Sequence, residues 1–236
     1  MGISRSLQLG VIIFVGLFLV CSAGGGDWPT YRHDDARSGC TSESLQTPLR
    51  LRWVYTPAHP PRPAWSGPGE RPREGFVLRH RVDFDDAFQV AVAGGLVYFG
   101  SSSDNKVYAL DAVTGRQRWS FFTGGPVRLA PTVHRNRLFF GSDDGFVYCL
   151  KAEDAGLIWK LRPGPNDERL LGNENMISRW PIRTNVLVDG DIAYFTAGIF
   201  PHENVYVCAV RADDGTVVWK NDNISEAEAY RNEFSP

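Results

Sequence analysis

One thirteen-residue phrase occurs three times in this chain, each time ending on tryptophan. Val107 to Trp119 reads VYALDAVTGRQRW, Val147 to Trp159 reads VYCLKAEDAGLIW, and Val207 to Trp219 reads VCAVRADDGTVVW. Each copy follows an apolar run: Val97-Tyr98-Phe99-Gly100-Ser101-Ser102, Leu138-Phe139-Phe140-Gly141-Ser142-Asp143, and Ala193-Tyr194-Phe195. The unit reads as two short strands separated by turn formers, a tight Thr-Gly turn, and a third strand. Gly115 supplies the positive φ that such a turn asks for. Trp119 closes the unit with a large apolar surface that has to be buried against something.

The first two tryptophans are 40 residues apart, and the third follows after 60, across an insertion from Pro163 to Arg179. A repeat near forty residues with four short strands per unit is the pattern of a β-propeller blade. No segment of the repeat has apolar residues at helical spacing, which excludes a solenoid of helix pairs.

Ala109-Leu110-Asp111-Ala112-Val113-Thr114-Gly115-Arg116-Gln117-Arg118-Trp119 resembles the A-x-D-x-x-T-G-x-x-x-W tryptophan-docking motif of pyrroloquinoline-quinone-like (PQQ-like) propeller repeats. That family includes quinoprotein alcohol dehydrogenases and the non-catalytic propeller of the outer-membrane-protein assembly machinery. In the other copies Lys151 and Arg211 replace the Asp. Gly156 sits one place nearer its Trp, whereas Gly215 and Trp219 keep register. The resemblance spans Leu49 to Asp222. It implies an all-β fold, an open arc of about three four-stranded blades near 84–122, 126–162 and 181–222. The structural docking residues it implies are Trp53, Asp111, Gly115, Trp119, Gly156, Trp159, Gly215 and Trp219. Propellers have about 4–8 blades, so the chain is expected to be part of a longer one. The resemblance carries fold rather than chemistry, because one fold hosts many functions.

Ahead of the repeats, Gly10 to Val20 is an unbroken apolar run after Arg5. It is shorter than the ~20 residues a bilayer span needs and suits a signal-peptide core, removed before Gly24. A lipid anchor at Cys21 is the alternative. Either way the protein is expected to be exported, to the periplasm or outside the cell, with no transmembrane span afterwards. Residues 24–48 form an arm anchored by Trp28 and Tyr31, and residues 49–236 form the partial propeller. His33-Asp34-Asp35 reads as a capped surface turn, since three adjacent side chains cannot all face one metal ion. Leu49 to Tyr55 alternates as a half-exposed strand, with Trp53 at a blade-ending place but no strands before it. The Pro-rich insertion at 56–75 reads as an excursion from the propeller rim, with a polyproline ligand as its other reading. Asn223-Ile224-Ser225 matches a glycosylation sequon by form alone.

A formal net charge of −2 gives no electrostatic reason to expect a nucleic-acid partner. Cys40, Cys149 and Cys208 remain after signal removal. Cys149 and Cys208 fall on equivalent strands of neighbouring blades. Stacked sheets lie ~10 Å apart and a disulfide needs Cα atoms within ~7 Å, so both read as small buried hydrophobes.

Pro126-Val127-Arg128 aligns with Pro181-Ile182-Arg183, and both segments read as innermost strands. Arg128 and Arg183 would then point towards the axis, as a candidate channel or anion site. Alternatively each pairs with a blade carboxylate, from among Asp83, Asp85 and Asp86. The preferred function is a non-enzymatic binding or scaffold propeller acting on a protein or cell-envelope polymer through its faces, without cofactor. The alternative is a quinoprotein dehydrogenase using PQQ with Ca²⁺; no two cysteines are neighbours to supply the disulfide found in several such enzymes. A hydrolase is the weakest reading, because His59, His80, His134 and His202 are scattered and no Gly-x-Ser-x-Gly elbow occurs.

Overall fold

The fold is that of a computed structural model, which describes residues 26–45, 47–64, 85–172, 174–199 and 204–222. The signal segment, Cys21, His80, Asp83, His202 and the Asn223 sequon lie outside the described residues. The described residues form strands and loops, with no helix among them. The first sheet holds β1 (Val90–Ala93), β2 (Leu96–Ser101), β3 (Lys106–Asp111) and β4 (Gln117–Phe122). The second holds β5 (Thr132–His134), β6 (Arg137–Gly141), β7 (Val147–Lys151) and β8 (Leu157–Leu161). A hairpin follows, β9 (Arg169–Gly172) with β10 (Asn175–Ser178), inside the insertion that reads as turn-rich loop in the sequence. The third sheet holds β11 (Leu187–Asp189), β12 (Ile192–Ala197), β13 (Tyr206–Arg211) and β14 (Val217–Asn221). Each sheet is an antiparallel meander in chain order, the blade form of a propeller.

Successive side chains on a strand point to opposite faces, and in the first and second sheets both faces are covered. Phe99 and Tyr108 pair across β2 and β3 and stack at 5.2 Å, on the side of the first sheet that Trp53 and Tyr55 cover. Tyr98, one residue earlier, joins the core between the first and second sheets. The second sheet repeats this: Phe140 stacks on Tyr148 at 5.2 Å towards the first sheet, while Phe139 faces the third. Burying each such side chain contributes about 1.5–3 kcal/mol.

Each tryptophan of the repeated phrase lies opposite a small residue: Trp119 opposite Ala109, Trp159 opposite Cys149, and Trp219 opposite Ala209. A register shift follows at the same place in all three sheets. The small partner leaves room for an indole to lean across to the next sheet. Cys149 thus stands where its counterparts are alanine, and both Cys149 and Cys208 are free and buried.

Two segments depart from the sequence reading. Leu49 to Tyr55 carries no strand, because no ladder partner for it lies among the described residues. Trp53 and Tyr55 instead pack onto the first sheet, with Val54 between them exposed, and Leu51 before them is exposed too. Pro126 to Arg128 and Pro181 to Arg183 are not the inner strands; those start later, at Thr132 and Leu187. Proline at 126, 131 and 181 has no N–H for a ladder. The neighbouring amides turn to other strands' ends: Val127 N–H donates to Ser101 at 3.3 Å, and Ile182 N–H to Ser142 at 3.0 Å. Val127 and Ile182 pack so closely on Gly100 and Gly141 that a Cβ there would fall 2.4 and 2.2 Å from them.

Candidate functional site

Arg128 and Arg183 both reach one carboxylate. Arg128 Nε donates to Asp143 Oδ2 at 2.8 Å, and Arg183 donates from Nε to Oδ1 at 2.8 Å and from Nη2 to Oδ2 at 2.9 Å. Asp143 is 1% exposed, on the turn between β6 and β7, and Arg128 comes from the loop before β5. Arg183 comes from the loop before β11, so the cluster ties the β4–β5, β6–β7 and β10–β11 connections together. Arg128 Nη1 also donates to Asp85 at 3.2 Å and to the Arg62 carbonyl at 2.8 Å. Of the expected carboxylates among the described residues, Asp85 reaches Arg128 and Asp86 is exposed. Sequence reasoning missed Asp143. The available signal was the second copy's Gly141-Ser142-Asp143-Asp144, an acid placed where the first copy has serine.

The neighbouring Asp144 takes a different load. It accepts from the Tyr148 hydroxyl at 2.6 Å and from Gly124 N–H at 2.8 Å. Tyr108 repeats the first contact on Asp104 at 2.8 Å. Burial, and then the adjacent carboxylate, raise the proton affinity of both phenols above the ordinary value.

Residues 60–64 of the Pro-rich segment lie over this cluster. Arg62 N–H donates to Ser102 Oγ at 2.7 Å, Ser103 Oγ donates to the Pro60 carbonyl at 2.8 Å, and the Arg62 side chain pairs with Glu174 in the β9–β10 turn. From its other side the arm lines the inner strands. Trp28 exchanges two backbone hydrogen bonds with Val92 of β1, at 2.7 and 2.8 Å, and Val133 N–H of β5 donates to Pro29 at 2.7 Å. Thr30 and Thr132 hydroxyls lie 2.8 Å apart, and Thr132 Oγ1 donates to the Val186 carbonyl at 2.6 Å. Residues 28 and 29 of the arm therefore bond to the inner strands β1 and β5 at Val92 and Val133. In the arm, His33 packs edge-on against Trp28 and lies 3.6 Å from Asp34, just before the Asp34–Ser38 turn.

The tryptophans bridge successive sheets. Trp53 Nε1 donates to the Ala112 carbonyl at 3.0 Å, Trp119 to Ala152 at 3.1 Å, and Trp159 to Ala212 at 3.0 Å. Trp219 faces no further sheet among the described residues and is 45% exposed. The Trp53 and Trp159 rings lie against Gly115 and Gly215, where a Cβ would fall 2.6 and 2.8 Å from ring carbons. Gly156 does not hold the matching place in the second copy; Ala155 does, at φ 63°, with its N–H donating to the Lys151 carbonyl as Gly115 and Gly215 donate to Asp111 and Arg211. Asp111 caps its own turn, accepting from Thr114 N–H and Oγ1 at 2.8 and 2.9 Å. Those bonds hold its carboxyl below the usual range. Where Lys151 and Arg211 replace it, Asp154 and Asp214 cap the turns instead, accepting from Gly156 and Thr216 N–H.

Chemically, the cluster is a network of ion pairs among Arg128, Arg183, Asp143 and Asp85. A divalent cation does not fit it: both Asp143 oxygens already accept guanidinium N–H bonds, and two like charges flank the position. Among the described residues no three His, Cys, Asp or Glu side chains converge into a metal-binding group.

Comparison with known proteins agrees with this architecture. A curated relative, the tetrathionate hydrolase of Acidithiobacillus ferrooxidans, is 29% identical over 118 residues, covering 50% of this chain and 20% of that one. The quinohemoprotein alcohol dehydrogenase of Comamonas testosteroni superposes with a TM-score of 0.61 at 18% identity, over 83% of this chain and 27% of the enzyme. A europium-containing methanol dehydrogenase superposes at 0.50 and 17% identity, over 84% of this chain and 32% of that one. The chain thus spans a third or less of the length of these proteins, and at such identities the solved structures show the fold alone. No helix among the described residues is long and apolar enough to cross a membrane. The family model described as outer membrane protein assembly factor BamB matches residues 70–228, and the chain belongs to that family of PQQ-like β-propeller repeat proteins.

Proposed function

We propose that this chain forms blades of an exported, non-catalytic propeller that binds a protein or cell-envelope polymer through its loop faces. One observation carries the reading: among the described residues, the charged groups of this cluster are spent on each other. Arg128 and Arg183 close on Asp143 and Asp85, and residues 60–64 lie over them. A reaction centre on the axis would need polar groups left free to meet a substrate or cofactor. What stays available here is the exposed surface of the turns and seams. The family's description as an assembly factor of outer membrane proteins fits such a role.

Titration of the complete polypeptide with pyrroloquinoline quinone and Ca²⁺, followed by tryptophan fluorescence and dye reduction, tests this reading. No saturable quenching and no turnover of primary alcohols are expected. Stoichiometric quinone binding with alcohol-dependent dye reduction would establish the dehydrogenase reading instead.

A further inference from the structure

Because the sheets repeat, each position on one seam has a counterpart on the next. The seam between the second and third sheets is closed at the surface by two ion pairs, Arg135 with Asp191 and Arg137 with Asp213. Arg137 also donates to the Ala212 carbonyl at 3.3 Å. On the seam between the first and second sheets Gly94 stands for Arg135, Asn136 for Asp191, Leu96 for Arg137 and Glu153 for Asp213. The matching backbone bonds from Ala112 to Gly95, Ala152 to Asn136 and Ala212 to Asp191 fix this correspondence. Both guanidinium groups are therefore missing from the first seam, while one carboxylate is kept.

Their absence leaves a cleft of about 790 Å³, whose charged lining is Asp27, Asp111, Glu153, Arg118 and Arg135. A Cβ built on Gly94 or Gly95 would meet nothing within 4 Å, so the space is open on that side. The Tyr98 hydroxyl takes the Ala152 carbonyl at 3.2 Å, the role Arg137 has on Ala212. Glu153 has no such substitute. Arg118 lies 3.9 Å from Asp111, and Arg135 is committed to Asp191 across the other seam. Asp27 accepts only the Gly94 N–H, at 3.2 Å, which leaves its charge and that of Glu153 without a cation among the described residues.

We propose that this cleft receives a guanidinium side chain from a basic segment of a partner protein, seated where Arg137 sits on the sister seam. The apolar floor of Leu96 and Tyr98 accepts the aliphatic stem, and Glu153 and Asp27 accept the fork. The proposal deepens the binding reading above, yet is tested without the quinone, so either can fail alone.

The test uses the complete polypeptide and fluorescein-labelled triarginine, read by fluorescence anisotropy at low salt, with labelled triglutamate for comparison. Triarginine should bind and triglutamate should not. Glu153→Gln, an exposed substitution, should weaken triarginine about tenfold, one charge-assisted contact. Leu96→Arg, which supplies the guanidinium from within the chain, should abolish binding without lowering the melting temperature. Asp214→Asn, an exposed acid on the third sheet, should leave it unchanged. No binding by the parent chain, or equal binding by Glu153→Gln, overturns the proposal even where Leu96→Arg fails to fold.

Discussion

The indole nitrogen of Trp159 donates to the carbonyl oxygen of Ala212 at 3.0 Å, from the outer strand of one sheet to the turn of the next. With 8% of the side chain exposed, this is the most buried of the bridging tryptophans. Trp159→Ala should cost about 3–5 kcal/mol in a denaturant melt, from lost burial and an unfilled cavity. Trp159→Phe should cost less, since much of the apolar contact stays. A loss below about 1 kcal/mol for the alanine variant would mean that the seam does not depend on this side chain.

Ala155 stands at positive φ where its two counterparts are glycine. An L-residue pays roughly 1–2 kcal/mol there, partly offset by the lower chain entropy of alanine when unfolded. Ala155→Gly should therefore stabilise by about 0.5–1 kcal/mol. Gly215→Ala should destabilise, because its Cβ would fall 2.8 Å from the Trp159 ring. Paired urea melts of the two variants check the opposite signs.

Removing Asp143 leaves two guanidinium groups facing each other with one carboxylate, Asp85, near Arg128. Asp143→Asn should cost about 3–5 kcal/mol, the scale for stranding a buried charge. Arg128→Gln combined with Arg183→Gln should also destabilise, because Asp143 and Asp85 then both lose their guanidinium partners. Phosphate titration of the parent and the double variant separates the two roles: stability lost with unchanged phosphate affinity shows an internal clamp, and the reverse shows an anion site.

Burial pushes the Cys149 thiol up to about 12 and the Cys208 thiol up to about 11, from an ordinary 9.0. The folded state holds these protons more tightly than the unfolded chain. Their contribution is fully present below pH 9 and declines as pH rises towards 11 and 12. Each thiol removes about 1.4 kcal/mol per pH unit over that window. Tyr98, pushed up to about 12 by burial, adds to the loss above pH 10. Urea melts at pH 8 and pH 10 should show the fall, and Cys149→Ala with Cys208→Ala should make it shallower.

The order of strands and the seams were legible in the sequence because they depend on local pattern. Alternating apolar runs, a turn glycine and a terminal tryptophan repeat at fixed spacing, and each acts within a few residues. The sequence also placed Arg128 and Arg183 at equivalent positions. It could not supply Asp143, whose two arginine partners lie 15 and 40 residues away on different loops. Nor could it show that Ala155, rather than Gly156, takes the left-handed place, since that choice follows from which amide closes the turn onto the Lys151 carbonyl.

The chain by itself determined that it forms stacked four-stranded sheets joined by tryptophans, because periodicity two and turn chemistry are properties of neighbours in sequence. Only the tertiary structure decided where its charges go. Ion pairs form between side chains that the stacking brings within 4 Å, and the stacking also decides which seam is zipped by Arg135 and Arg137 and which is left open beside Glu153.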